Sequence, residues 1–178
     1  MDTTRSDGIV QTFLKKEEKF LRKVSTLSET VNGAPEQIFP LLCPTREADW
    51  IPGWHPDLIY TNSGYAEENC VFRTEKSHLM NAGTWIFTDY KPNEYIKFVR
   101  IDSDIIRHCR IDLVQNSDGT TKITFKTIST ALTVNGNRIL ENIKNHSNSN
   151  PIFKLMNFYL EKGIMISKLN PMVKNAHS

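Results

Sequence analysis

From residue 57 onward, apolar and polar positions repeat with a period of two. "DLIYTN", "NCVFRTEK", "TWIFTDYK", "EYIKFVRI", "DIIRHCRIDLVQ" and "TKITFKTISTALTV" are rich in β-branched and aromatic residues, and they predict six strands. "SGYAEE", "HLMNAG", "KPNE", "DS" and "NSDG" separate them. Connections this short and turn-rich suit antiparallel hairpins, so the six strands form a meander. "RKVSTLSETV" predicts a further strand near 20–31.

The period changes at both flanks of this β region. "NGAPEQIFPLLC" reads as a turn and a short helix, with Pro35 in the first turn. Pro44 ends that run, and Arg46 to Trp50 predict a second short helix stopped by Pro52-Gly53. "NGNRILENIKNHSNSN" predicts a helical piece followed by a polar loop. A helix over about 151–168 then follows, with Asn150 as N-cap and Pro151 in its first turn. Phe153, Met156, Leu160, Ile164 and Leu169 form its apolar stripe, widened by Leu155, Phe158 and Tyr159. The order is strand, two short helices, six strands, long helix. The predicted fold class is α+β: a curved seven-stranded antiparallel sheet around a C-terminal helix.

Composition narrows the class without changing this picture. The chain has 178 residues, which suits one core. We expect a single domain over 19–170, a flexible segment at 1–18 and a tail at 171–178. A formal charge of +2 gives no ground for nucleic-acid binding. No apolar run is long enough to span a bilayer, and "MDTTRSDGIVQTFLKK" lacks the apolar core of a secretory signal. Cys43, Cys70 and Cys109 are odd in number and widely spaced, as free thiols in a reducing compartment would be. The expected location is the cytoplasm.

Three patterns together carry a family likeness: "APEQIFPLLCPTREADWIPGW", "GTWIFTDYKPNEYIKFVRI" and the terminal "FYLEKG". Over roughly 20–170 the chain resembles the START/Bet v 1-like (SRPBCC) superfamily, in particular bacterial polyketide cyclase/dehydrase-type helix-grip proteins. The resemblance implies a hydrophobic cavity between sheet and C-terminal helix. It does not imply one activity, because sites rather than folds fix function. Such proteins include lipid and sterol carriers, hormone receptors, aromatase/cyclases and co-chaperone-like proteins.

Strand alternation sorts side chains by face and gives candidates for such a cavity. In the last strand Lys122, Thr124 and Lys126 face water, which puts Ile123, Phe125, Thr127 and Ser129 inward. In the preceding strand Arg107, Cys109, Ile111 and Leu113 face inward. "EYIKFVRI" contributes Ile96, Phe98 and Arg100. "TWIFTDY" is ambiguous, and the larger apolar area favours Trp85 and Phe87 inward. Met156, Tyr159 and Leu160 face the sheet from the helix. Trp50 and Trp54 sit where the short helices hand over to the second strand. They either plug the open end of the sheet or also line the pocket, with His55 as a polar handle.

The expected ligand-binding set is therefore Trp50 and Trp54, the strand residues Trp85, Phe87, Phe98, Arg100, Arg107, Ile111, Phe125, Thr127 and Ser129, and Met156, Tyr159 and Leu160. The two arginines admit two readings: an anchor for an acidic group on a ligand, or ion pairs with Asp89, Asp102 or Glu94. His108 and Cys109 are neighbours on a strand and point to opposite faces, so they do not act as a pair. No metal-ligand spacing, phosphate loop or nucleophile elbow occurs, and no metal or cofactor is expected. No catalytic residue can be assigned. The expected partner is a small apolar ligand (a lipid, polyketide or aromatic compound) bound by a monomer or homodimer without membrane insertion. A cyclase/dehydrase-type enzyme and a co-chaperone-like interaction domain are the alternatives.

Overall fold

A computed structural model of the protein describes residues 19–76, 81–143 and 151–166. The segment 1–18, the polar run 144–150 and the tail 171–178 lie outside the described residues. The helix expected to reach 168 instead stops at Lys162, where Gly163 takes φ 68° and ends it, and 167–168 lie outside the described residues. Strand β1 is Arg22–Val31. The meander comprises β2 (Pro56–Tyr60), β3 (Val71–Thr74), β4 (Gly83–Lys91), β5 (Tyr95–Ile101), β6 (Ile105–Gln115) and β7 (Thr121–Ala131). Helices α1 (Pro35–Ile38) and α2 (Pro44–Glu47) flank a 3₁₀ turn at Phe39–Leu42. Helices α3 (Val134–Asn142) and α4 (Pro151–Lys162) follow the sheet.

All seven strands form one antiparallel sheet in the order β1-β7-β6-β5-β4-β3-β2. The curved sheet and C-terminal helix give the α+β architecture expected from the sequence. The order has a direct consequence. β1 and β2 are consecutive in the chain but occupy opposite edges, so the 32–55 connection must cross the whole sheet. That connection carries α1, the 3₁₀ turn, α2 and both tryptophans of its loop. Its Ile38, Leu41, Leu42, Trp50, Ile51 and Trp54 join the same core cluster as Phe72, Trp85 and Phe87 of the sheet.

Proline punctuates this connection. Pro35, Pro40 and Pro44 each sit in the first turn of a short helical piece, where the missing N–H costs nothing. The sequence pattern puts the second short helix at Arg46 to Trp50 with Pro44 as a terminator. Instead Pro44 opens α2, and Gly53, with φ 74°, turns the chain between the two indoles. A similar correction applies after β7. The β-rich run to Val134 ends at Ala131, because the Thr133 Oγ1 accepts from the Gly136 amide and caps α3.

Strict alternation holds in β5, β6 and β7, where Phe98, Cys109, Leu113 and Ile123 are buried. It fails in β4. Phe87 pairs with Phe98 and Asp89 with Lys97, so Thr88 is an extra residue. This bulge lets Trp85 and Phe87 face the core while Asp89 turns out to bind the Lys97 ammonium at 2.7 Å. Helix α4 presents Phe153 and Met156 to the core, and its Asn157 Oδ1 accepts from the Asn32 amide at the end of β1. Helix α3 makes a separate small core of Leu140 with Ile105 and Ala131.

Candidate ligand cavity

Each indole of the chain has its N–H satisfied away from the interior space. Trp50 Nε1 donates to the Leu41 carbonyl at 3.0 Å, and Trp54 Nε1 donates to the Pro44 carbonyl at 2.8 Å. Trp85 Nε1 donates to Thr74 Oγ1 at 2.9 Å. The connection that crosses the sheet thus supplies its own acceptors, and the rings are free to present carbon inward. Trp54 meets Trp85 edge to face at 5.7 Å, and Phe72 stacks on Trp85 at 5.4 Å. Phe87, Phe98 and Phe125 continue the row, with centroids 5.7 and 6.3 Å apart. Interlocked rings of this kind hold their neighbours in fixed orientations.

Against this aromatic row lies a cavity of about 160 Å³. Trp50 and Trp54 wall it from the crossing connection, and Trp85, Phe87, Phe98, Ile111 and Phe125 from the sheet. Phe153 and Met156 of α4 close the other side. Eight of the expected residues are therefore brought together: Trp50, Trp54, Trp85, Phe87, Phe98, Ile111, Phe125 and Met156. A second hollow of about 250 Å³, between Phe39, Cys43, Tyr65 and Tyr90, contains none of the expected set.

The remaining six sit outside the cavity wall. Arg100 and Arg107 both bind Asp102 Oδ2 at 2.6 Å. Asp102 Oδ1 accepts from the amides of Asp104 and Ile105, at 3.0 and 2.8 Å. Burial alone would raise the Asp102 pKa. The donations from Arg107, the Asp104 amide, Arg100 and the Ile105 amide outweigh it and hold the carboxyl below its ordinary value. Arg100 also donates to the Asn81 carbonyl at 2.6 Å, and its guanidinium lies 5.2 Å from the Trp85 ring centre. Its Nε is the one buried side-chain nitrogen or oxygen among the described residues without a partner. Ser129 is buried opposite Arg107 in the β6–β7 register, and Thr127 lies opposite Cys109. Burial pushes the Cys109 thiol up to about 11, despite the Thr127 hydrogen bond and the nearby arginines. Cys109 is thus a poor nucleophile. Tyr159 lies beside the Arg46 guanidinium, and Leu160 packs on the rim of the main core.

His55 is exposed and takes no part in the cavity. The polar group there is Glu47, the last residue of α2. Its carboxyl has no hydrogen-bond or ionic partner among the described residues. Burial pushes its pKa from 4.5 up to about 8, with no other cause. The residue keeps some accessible surface, as a cavity wall must, although protein surrounds it. Charge pattern hid this residue: Arg46, Glu47 and Asp49 look like one solvated cluster. The usable signal was helical spacing. Glu47 shares a face with Trp50 and Ile51, whose amides bond to its carbonyl, while Arg46 and Asp49 pair with each other at 2.6 Å on the surface.

No family model matches the sequence, and no curated protein does. Solved structures do share its fold. Norcoclaurine synthase from Thalictrum flavum is 12% identical, with a TM-score of 0.59 over 91% of this chain and 96% of that one. The Mll3558 protein from Rhizobium loti is 12% identical, with a TM-score of 0.57 over 79% of this chain and 98% of that one. CalU16 from Micromonospora echinospora is 7% identical, with a TM-score of 0.52 over 82% of this chain and 88% of that one. Identities this low speak for backbone architecture alone. Among the described residues no helix is long and apolar enough to cross a membrane. With its sheet order, its crossing connection and its C-terminal helix, the chain shares the fold of these solved structures, a curved sheet around a C-terminal helix as in a helix grip.

Proposed function

We propose that the protein binds a small hydrophobic ligand in the cavity between the sheet and α4. The cavity itself carries this reading. Protein interiors are close-packed, and an unfilled void costs about 24 cal/mol per Å³. A void of about 160 Å³ thus costs on the order of 4 kcal/mol that better packing would recover. Its size also narrows the class of ligand. Cavities of about 150 Å³ take up benzene, so a single aromatic ring is the natural occupant, in preference to a long-chain lipid or an extended polyketide.

All three tryptophans of the chain line the cavity, so occupancy is readable from intrinsic fluorescence. Titration with indole-free single-ring compounds should shift or quench the emission with one site per chain. Ile111→Trp fills the space from the sheet side. It should abolish binding by calorimetry while cooperative thermal unfolding persists. Unchanged binding in that variant places the ligand elsewhere and removes the cavity from the proposal.

A further inference from the structure

We infer that Glu47 gives this cavity its chemical selectivity: its neutral carboxyl donates a hydrogen bond to the carbonyl oxygen of a single-ring ligand and turns carboxylates away. The inference rests on the proposed binding of a small hydrophobic ligand in the same cavity. Its first support is composition. Among the described residues Glu47 is the one titratable side chain in a wall otherwise built from Trp50, Trp54, Trp85, Phe87 and their apolar neighbours. A carboxyl with no partner among the described residues still has a proton to donate and lone pairs to fill. A ligand inside the cavity can meet that need, since the other described residues of its wall offer carbon.

The surrounding charges point the same way. Arg46 is turned to the surface and paired with Asp49, and Arg100 and Arg107 are bound to Asp102 outside the cavity wall. Among the described residues no cation is left in the wall to receive a carboxylate. Burial keeps Glu47 protonated through neutral pH, which makes it a donor. An ammonium ligand would require Glu47 to ionise within an apolar wall, and a desolvated ion pair costs more than a neutral hydrogen bond. A ketone or aldehyde oxygen meets the carboxyl without creating charge. The volume leaves space for one ring and a small substituent.

The test compares acetophenone, cumene and benzoate, which have equal numbers of heavy atoms and differ at one group. Affinities are measured on the full chain by fluorescence and calorimetry. In Glu47→Met the acetophenone-to-cumene affinity ratio should fall about tenfold. In Glu47→Gln, whose amide still donates, it should stay close to the wild-type ratio. Benzoate should not bind the wild type measurably near pH 7. At about pH 9 the wild-type ratio should drop as Glu47 ionises, while that of Glu47→Gln stays constant. This last comparison carries the test alone if Glu47→Met fails to fold. An unchanged ratio in Glu47→Met, or a pH-independent wild-type ratio, overturns the role of Glu47 and leaves cavity binding intact. Tighter binding of benzoate or of 1-phenylethylamine than of acetophenone overturns the assigned ligand class. Failure of both cumene and acetophenone to bind any variant instead removes the binding function itself.

Discussion

Glu47 should make this protein weaken as the solution turns alkaline. In the unfolded chain the carboxyl ionises near its ordinary value of 4.5, whereas in the fold burial delays ionisation to about pH 8. Below the lower value the group is neutral in both states and contributes no pH dependence. Between the two values the folded state holds a proton that the unfolded state has lost, so stability falls as pH rises. Above about pH 8 the loss is complete. At about 1.4 kcal/mol for each tenfold change in proton affinity, the full loss is on the order of 5 kcal/mol. Structural relaxation around the charge reduces that to roughly 2–4 kcal/mol, still a large part of the 5–15 kcal/mol typical of a domain. Glu47→Gln removes the titration and keeps the shape. Urea unfolding of both proteins from about pH 4 to pH 9 isolates the effect, since every other group titrates alike in the two. The variant should gain on the wild type steadily between about pH 5 and pH 8. A stability difference that stays flat over this range would mean that the carboxyl is solvated or ionised, and would take Glu47 out of the cavity.

The Asp102 cluster should behave oppositely. Asp102→Asn leaves two inward guanidinium groups without a countercharge and should cost about 3–5 kcal/mol, measured by denaturant unfolding at neutral pH. Because the carboxyl's pKa is held low in the fold, its contribution should disappear only as pH falls through that lowered value. Arg107→Met should lower stability by about 1–2 kcal/mol and leave the wild-type preference among neutral ligands unchanged, as equilibrium binding would reveal. Thr74→Val takes the acceptor from Trp85 Nε1 and should cost about 1–3 kcal/mol, with a change in tryptophan emission. At Gly136 a Cβ would collide with the Asp104 carbonyl oxygen, a backbone atom that cannot swing aside. Gly136→Ala should therefore loosen α3 and cost roughly 1–3 kcal/mol in thermal unfolding.

Much of the sheet was legible because each strand has one wet and one dry face. Lys122 and Lys126 fix the phase of β7, and Lys97 fixes that of β5, so Phe125 and Phe98 follow. Where a strand departs from a two-residue period, the same logic fails. In β4 the extra Thr88 breaks the alternation, so Asp89 does not share the face of Trp85 and Phe87. Such a bulge depends on pairing with β5 and leaves no mark in the local pattern. The two arginines were legible as inward residues but not as neighbours of one carboxylate. Asp102 lies in the tight β5–β6 turn, and only the turn's backbone places its oxygen between them. Glu47 was hidden for a different reason. A charged residue beside Arg46 and Asp49 reads as surface, and three prolines so close together obscure helical periodicity.

The position of the three indole donors leaves the cavity wall with one polar side chain among the described residues. Had any of Trp50, Trp54 or Trp85 aimed its N–H inward, the cavity would contain a second donor. A ligand would then need two acceptors in fixed relation. Instead Leu41, Pro44 and Thr74 take those donors, so the rings contribute area without directional demands. Two of those acceptors are carbonyls of the crossing connection, which exists because β1 and β2 lie on opposite edges of the sheet. That same connection delivers Glu47 one turn before Trp50. Sheet order thus shapes the wall of the cavity: the connection it forces across the sheet both occupies two of the tryptophan donors and supplies Glu47, the one titratable side chain in that wall among the described residues.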